Sequence, residues 1–300
     1  MIGRMWVMFM RLMAVLPLSW VRALGWLLGR ALFLLLGSRR RIAETNLRLC
    51  FPDKTPAARR TLARQTFVVF AQTWLDRGWL WHAPRRVLER RLVLQGAVHE
   101  LQPGPQGEEA PTILLCPHFY GLDAAATTIS MQVVRRWFSI YSSQSDPALD
   151  RWVREGRLRF GDSKVFTRTT GMKTILSAMR DGGVLYLLPD MDFGPQDSVF
   201  VPFYGVTAAT LPSVPRFARL GRAKVVPLVP RLTPWGYEVE VLPAWTNFPS
   251  EDPVADTAFM NAQLQAYIDT MPAQYYWVHK RFKTRPEGEP SLYQAGSASL

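Results

Sequence analysis

The hydrophobic and polar positions divide the chain into an apolar start, a helical second part, and a region where short apolar runs alternate with amphipathic segments. Apolar runs at residues 112–116, 137–141 and 184–188 predict strands buried on both faces of a sheet. Alternation at residues 224–229 and 237–242 predicts two more strands, the second at a sheet edge. Helices are predicted between and after them, at residues 122–134, 148–160, 172–180, 208–220 and 253–270. This order predicts an α/β domain with a mixed central sheet flanked by helices.

Residues 1–38 are the most apolar part of the chain. Arginines interrupt this segment at Arg11, Arg22 and Arg30, and the longest uncharged run, residues 12–21, is too short to span a bilayer. Arginines spaced among Trp, Leu and Phe favour helices that lie in a membrane interface, with side chains reaching towards water. A tilted span, a signal peptide and a helix pair packed on the domain are the alternatives.

The next part of the chain, residues 39–110, is predicted to be a basic helical region followed by a polar loop. Thr55 and Pro56 suit the N-cap and first position of a helix. Aromatic residues at helical spacing then predict a core-facing stripe, formed by Phe67, Phe70, Trp74 and Trp81. The chain therefore divides into a membrane-anchoring segment (1–38), this helical region (39–110), an α/β catalytic region (111–288) and a flexible tail (289–300).

Composition restricts the partners of the protein. The formal net charge is +12 and the pI is near 10.1, which favours anionic partners such as nucleic acid, acidic lipid headgroups or an acidic carrier protein. The apolar start and the absence of a nucleic-acid recognition motif place nucleic acid last. Two cysteines and four histidines without metal-ligand spacing predict neither a disulfide framework nor a metal site.

The candidate chemistry begins directly after the first predicted strand. His118 follows this strand, and Asp123 lies in the first turn of the next helix, with Gly121 between them. The carboxyl ends of strands in open α/β sheets are where such proteins keep their active sites. We expect the turn to bring Asp123 onto the imidazole, which makes His118 a candidate general base. An Asp123 that merely caps the helix is the structural alternative.

A second polar cluster follows the strand predicted at residues 184–188. Asp190 and Asp192 lie there in a turn rich in Gly and Pro, where they suit either a catalytic or metal site or a turn held by side-chain hydrogen bonds. The helix at residues 148–160 carries Arg154, Arg157 and Arg159, for which a solvated helix face is the first expectation.

Several enzyme classes are excluded because their motifs are missing: the chain has no G-x-S-x-G, G-x-x-x-x-G-K-[ST], G-x-G-x-x-G or H-E-x-x-H segment. A histidine base without a nucleophilic partner in its own motif indicates that a substrate supplies the nucleophile.

Taken together, the motifs resemble those of the late acyltransferases of lipid A biosynthesis, the lauroyl/myristoyl transferase family of Gram-negative bacteria. The H-x4-D/E signature of that family runs from His118 to Asp123. Its other segments occur in order, at residues 46–52 (NLRLCFP), 156–159 (GRLR), 189–195 (PDMDFGP), 198–203 (SVFVPF) and 279–288 (HKRFKTRPEG). No catalytic position departs from the pattern.

The resemblance implies an enzyme at the cytoplasmic face of the bacterial inner membrane that moves a fatty acyl chain from acyl carrier protein to a hydroxyl of a lipid A precursor, without a cofactor. It implies His118 as the base, oriented by Asp123, with Arg157 as an oxyanion donor and Asp190 as a support for the site. Substrate-binding positions would be Arg154, Arg159, Asp192, Arg39, Arg40 and Arg41. The alternatives are another acceptor (a lysophospholipid, an aminolipid or another glycolipid) and a non-catalytic basic protein of the membrane surface.

Overall fold

The computed structural model describes residues 2–167 and 169–293, without the side chain of Ile2. Helices make up most of the first third of this range: α1 (Ile2–Val15), α2 (Leu18–Leu35), α3 (Gly37–Cys50), α4 (Pro56–His82) and α5 (Arg85–Arg91). Strands and helices then alternate: β1 (Leu92–Gly96), β2 (Thr112–Leu115), α6 (Leu122–Gln132), β3 (Arg136–Tyr141), α7 (Pro147–Arg157), β4 (Asp162–Thr167), α8 (Met172–Arg180), β5 (Val184–Leu187), β6 (Val199–Phe203), β7 (Val206–Thr210), α9 (Ser213–Gly221), β8 (Lys224–Thr233), β9 (Gly236–Val241) and α10 (Pro253–Asp269).

Seven strands form one mixed sheet in the order β1-β9-β8-β2-β5-β3-β4. Strands β8 and β9 are antiparallel, whereas all other neighbours in this sheet are parallel. Helices flank the sheet, which confirms the predicted α/β class with a mixed central sheet. The central strand β2 is buried along its whole length, as its continuous apolar run predicted.

The edges of the sheet differ from the prediction. Strand β9 lies between β1 and β8 and is not an edge; the edge strands are β1 and β4, which the sequence pattern did not reveal. Both edge strands carry several exposed or half-buried positions, and a strand of that kind has a weak hydrophobic signal. Because β1 pairs with β9, the boundary predicted at residue 110 cuts through the sheet.

The helix predicted at residues 208–220 was wrong in its first part. Residues 206–210 form β7, which pairs with β6 in an antiparallel hairpin, and α9 begins only at Ser213. The two turn residues, Tyr204 and Gly205, have φ values of 53° and 73°. Two consecutive positive φ angles form a turn whose twist matches that of a hairpin. The alanines of β7 favour a helix locally, but strand pairing outweighs this preference.

The apolar start of the chain forms two helices that pack on α4. The inner face of α2 carries Gly25 and Gly29, where a Cβ atom would come within 2.8 Å of the Gln72 Cα and 2.4 Å of the Val68 Cα. Small residues of this kind let two helices approach closely. The inner face of α4 also carries the predicted aromatic stripe, in which Phe67 and Trp81 are buried and Phe70 and Trp74 are half-buried.

The outer face of α1 and α2 is apolar and exposed. Its large side chains are Met5, Met8, Leu12, Val15, Trp20, Leu24, Trp26, Leu27, Leu28, Leu34 and Leu35. In the described part of the chain, α2 is the one helix that is long and apolar enough to cross a membrane, a criterion that a soluble core helix or a signal sequence also meets. We call this surface the apolar face.

An ion pair with a buried carboxylate fixes α2 to α4 and, through Tyr237, to the sheet. The Arg22 Nη1 atom lies 2.6 Å from Oδ2 of Asp76, whose side chain is fully buried in α4. Asp76 also accepts hydrogen bonds from the Tyr237 hydroxyl in β9 and from the Trp79 indole. Removing one member of a buried pair leaves an uncompensated charge, which is strongly destabilising. The arginine in this apolar helix therefore points towards the sheet domain.

We expect Gly29→Leu to destabilise the protein, because the added side chain would overlap the Val68 backbone. Overpacking of this kind costs about 1–3 kcal/mol in free energy of unfolding. The control is Gly37→Ala, where a Cβ would meet only the end of the Arg41 side chain, at 3.8 Å. Thermal unfolding of both variants in the same detergent checks the expectation. Equal melting temperatures would contradict the close packing of α2 on α4.

Candidate active site

Two neighbouring parallel strands bring the principal polar residues together. Strands β2 and β5 are paired with Leu115 opposite Leu187. His118 lies three residues beyond the first of these positions, and Asp190 lies three residues beyond the second. Because parallel strands end at the same edge of the sheet, equal distances along the chain place the two side chains side by side.

His118 and Asp190 form a doubly connected pair. The imidazole Nδ1 lies 2.6 Å from Oδ1 of Asp190, and the His118 backbone N–H donates to Oδ2 at 2.9 Å. The Tyr275 hydroxyl interacts with the same carboxylate and helps to lower its pKa. The expectation that Asp123 lies on the imidazole was therefore wrong: the partner comes from the neighbouring strand, and not from the helix that follows His118.

Asp190 is buried but ionised. Burial raises the pKa of its carboxyl, but the positive charge of His118 and the hydrogen bonds to the carboxylate outweigh this effect and lower the pKa from 3.8 to about 2. The ionised carboxylate accepts a hydrogen bond from Nδ1–H, so the neutral imidazole carries its proton on Nδ1 and none on Nε2. The His118 side chain is 22% exposed. This arrangement suits a general base.

Asp123 pairs with two arginines. Its Oδ2 lies 2.7 Å from Nε of Arg77, and its Oδ1 lies 2.9 Å from Nε of Arg157. Burial raises the pKa of the Asp123 carboxyl, but the charges of Arg157 and Arg77 outweigh it and lower the pKa below its usual range. Asp190, expected to support the site by holding Arg157 or another part of it, holds His118, and the carboxylate that contacts Arg157 is Asp123.

Sequence reasoning missed Arg77. It lies on α4, three residues after Trp74 and four before Trp81, on the face of the aromatic stripe. Its guanidinium stacks 4.1 Å from the centre of the Trp74 ring. A charged residue on an otherwise aromatic helix face was the available signal, because such a residue needs a buried partner.

The imidazole faces an apolar cavity. This cavity has a volume of about 520 Å³ and is lined by His118 and by side chains from the ends of β3 and β5 and from the start of α9, among them Ile140, Leu188, Ser213 and Phe217. A narrow crevice lined by Asp123 and Arg157 adjoins it and shares the wall made by Ile140, Tyr186 and Leu188. The two groups of polar residues therefore lie on either side of one apolar wall.

Asp192 holds the chain and offers no free oxygen to a substrate. Its Oδ1 accepts from the Thr284 hydroxyl at 2.8 Å and from the Gly194 N–H at 3.0 Å, and its Oδ2 accepts from the Thr284 N–H at 2.7 Å. Its own N–H donates to Nε2 of His279 at 3.0 Å. The predicted substrate-binding role is therefore replaced by a structural one, namely fastening residues 279–284 to the turn after β5.

The arginines that were predicted to bind substrate lie in different places and make different contacts. Arg159 donates to the carbonyls of Leu80 and Ala83 at the end of α4, so it caps that helix and does not face a substrate. Arg154 is exposed on α7. Arg39 reaches the Val278 carbonyl and Arg40 the Phe33 carbonyl.

The third residue of the basic cluster, Arg41, lines a separate cleft formed by α3, α4 and the residues after His279. Among residues 2–167 and 169–293, the structure contains no group of His, Cys, Asp or Glu that could hold a metal ion.

The site thus combines a carboxylate-oriented histidine with an apolar cavity and two half-buried arginines that share one buried carboxylate. The family of bacterial lipid A biosynthesis acyltransferases has a sequence model that matches residues 2–284. This chain belongs to that family, which supports an acyltransferase.

Known members are similar over most of their length. The lipid A biosynthesis lauroyltransferase of Escherichia coli (strain K12) is 33% identical over 295 residues, 97% of this chain and 93% of that protein. A lipid A biosynthesis acyltransferase of Haemophilus influenzae is 34% identical over 249 residues, 82% and 76% of the two chains. The myristoyltransferase of E. coli is 31% identical over 274 residues, 89% and 82%.

Burial of His279 predicts a pH-dependent loss of stability. Burial lowers the pKa of its imidazole from 6.5 to about 4. The unfolded chain therefore binds the proton more readily than the folded chain between these values. Stability should fall as the pH is lowered from 6.5 to 4, by up to about 3 kcal/mol from this residue.

His279→Gln keeps a hydrogen-bond acceptor for the Asp192 N–H but does not titrate. We expect its free energy of unfolding, measured against pH in detergent, to fall less than that of the wild type between pH 6.5 and 4. Above this range the two curves should run in parallel. Parallel curves throughout would contradict the buried, neutral His279.

Proposed function

We propose that this protein transfers a fatty acyl chain from the thioester of acyl carrier protein to a hydroxyl of a lipid A precursor. The observation that carries the proposal is the His118–Asp190 pair, which opens on an apolar cavity in a chain of the lipid A acyltransferase family. The names of the relatives specify lauroyl and myristoyl chains, so the transferred chain length does not follow from the family.

His118 would act as the base in a single displacement. Its Nε2 takes the proton of the acceptor hydroxyl while the oxygen attacks the thioester carbonyl, and Asp190 stabilises the imidazolium that forms. When the tetrahedral intermediate collapses, the new C–O bond remains, the C–S bond breaks and the imidazolium gives its proton to the leaving thiolate. No cofactor enters this scheme.

The oxyanion of the intermediate needs a positively charged or hydrogen-bond donor. Arg157 stays our prediction for this role, with its guanidinium held by Asp123, whose other carboxylate oxygen is bound by Arg77. Because Arg157 lines the crevice beside the His118 cavity, the thioester would lie at the wall that the two spaces share.

The fatty acyl chain would occupy the cavity next to His118. Hydrocarbon is favoured there because the lining is dominated by apolar side chains, including Ile140, Leu188 and Phe217. The size of this cavity would then limit the length of the acyl chain.

The apolar face would hold the enzyme on its membrane-bound substrate. Two adjacent helices that expose Trp, Leu and Met on one side suit burial at the level of the lipid headgroups. Since Arg22 in α2 is bound to the buried carboxylate of Asp76 in α4, we propose that α2 lies on the membrane and does not cross it. Supply by acyl carrier protein would place the enzyme at the cytoplasmic face of the bacterial inner membrane.

Mass spectrometry tests the reaction directly. Membranes containing the protein are incubated with tetraacylated lipid A precursor and C10, C12, C14 or C16 acyl carrier protein. One added acyl mass that is absent with His118→Ala would support the proposal. If acyl transfer occurs only to a lysophospholipid, an aminolipid or another glycolipid, that lipid and not a lipid A precursor is the acceptor. No turnover with any donor or acceptor would favour a non-catalytic protein of the membrane surface.

Asp190→Asn should lower kcat by about 10³–10⁴-fold, because an amide no longer fixes the imidazole tautomer or stabilises the imidazolium. Asp192→Asn is the matched control, since Asp192 is buried in the same turn but contacts Thr284 and not His118. We expect it to lower the melting temperature with a much smaller effect on kcat of folded protein. Equal kcat losses in the two variants would contradict the assignment of Asp190.

Ser213→Phe should shift donor preference towards shorter acyl chains, because the added ring would fill part of the cavity. We expect the ratio of kcat/KM for C14 to that for C10 donors to fall about tenfold. Ser177→Phe places the same side chain on the exposed surface of α8 and serves as the control. An unchanged ratio in Ser213→Phe would indicate that the acyl chain binds outside this cavity.

A further inference from the structure

A basic cleft lies apart from the His118 cavity. We define the basic cleft by Arg41, Arg48, Arg60 and Lys280, which line a space of about 560 Å³ between α3, the start of α4 and the residues after His279. Arg59 also lines it, but its guanidinium donates to the carbonyls of Phe51, Pro52 and Lys54 and so holds the turn between α3 and α4. Among the described residues that line the cleft, Glu44 is the one acidic side chain beside these five cations.

The two walls of the basic cleft are fastened together. Asn46 of α3 donates to the Trp277 and His279 carbonyls, both at 2.7 Å. Its side-chain oxygen accepts from the Tyr293 hydroxyl. Since Lys280 directly follows His279, these bonds set the distance between Lys280 and the arginines of α3. The concentration of positive charge is therefore held by a rigid frame.

The same segment connects the basic cleft to the catalytic pair. The Tyr276 N–H donates to the His118 carbonyl at 3.1 Å, and His279 is bonded to the turn that carries Asp190. The basic cleft thus begins four residues beyond a direct contact with the catalytic histidine. A ligand held there would have a defined position relative to the imidazole.

The position of the basic cleft relative to the apolar face indicates its occupant. Leu34 and Leu35, at the end of that face, are 71% and 77% exposed, and the basic helix α3 begins two residues later. A cationic cleft next to an apolar surface lies at the level where a membrane lipid carries its headgroup. Guanidinium groups match the oxygens of a phosphate in geometry and charge.

We propose that the basic cleft binds a phosphate group on the sugar headgroup of the acceptor lipid and so positions the acceptor hydroxyl at His118. This proposal rests on the proposed function. A concave space of this size suits a phosphorylated sugar, whereas the acidic helix of a carrier protein would need a broad, open surface.

The test combines Arg41→Gln with Arg60→Gln, two exposed arginines of the basic cleft. The matched control is Arg86→Gln with Arg90→Gln, which removes the same charge from the exposed surface of α5. Binding of the tetraacylated precursor in neutral detergent, without donor, is measured for the bisphosphorylated, monophosphorylated and dephosphorylated forms. KM values for acceptor and for acyl carrier protein are measured in parallel.

We expect the cleft variant to bind a phosphorylated precursor about tenfold or more weakly than the control variant does, and to bind the dephosphorylated precursor equally well. KM for the acceptor should rise with kcat and KM for the donor nearly unchanged. Equal weakening with all three precursors, or a raised KM for acyl carrier protein alone, would overturn the proposal.

A loss of sedimentation with phosphatidylglycerol vesicles, with acceptor binding intact, would assign the cleft to bulk anionic lipid and also overturn it. Absence of turnover in the wild type would overturn the proposed function, but the binding measurement without donor would still decide the role of the basic cleft.

Discussion

The buried charge of Asp190 is the constraint on which the catalytic region depends. A carboxylate withdrawn from water is tolerated only where hydrogen bonds and positive charge replace its solvation. The His118 ring and backbone supply part of that replacement, and the Tyr275 hydroxyl supplies the rest. Three distant parts of the chain therefore meet at one group. The Asp190 carboxylate is fully held only when the end of β2, the end of β5 and the segment that carries Tyr275 are all in place.

The sequence predicted the site residues better than their contacts. His118 and Asp190 lie at strand ends, as their positions after apolar runs indicated, and Asp123 lies in the first turn of the helix that follows His118. The partner predicted for His118 was wrong. Sequence spacing reveals only neighbours along the chain, whereas the order of strands in the sheet decides which loops meet. Once β2 and β5 are known to be adjacent, the equal distance of His118 and Asp190 from the paired residues Leu115 and Leu187 predicts their contact.

The same limit explains the errors in the fold. Central strands such as β2 and β5 were predictable because burial on both faces requires an unbroken apolar run. The edge strands β1 and β4 need no such run, and the alanines of β7 favour a helix until the hairpin with β6 forms. The roles of two side chains, Arg77 and Asp192, were not predicted correctly from the sequence. Arg77 was not singled out and Asp192 was predicted to bind substrate, whereas an ion pair with Asp123 and hydrogen bonds from Thr284 determine their actual roles.

The contacts of residues 275–284 have a consequence for the order in which the protein is made. A ribosome completes both strand ends long before it reaches Tyr275, yet the hydrogen bonds to Asp190, His118 and Asp192 come from this late segment. The helices that carry the apolar face are made first, so the proposed membrane docking would need only residues at the start of the chain. The site around His118 and Asp190 gains its last contacts only near the end of synthesis.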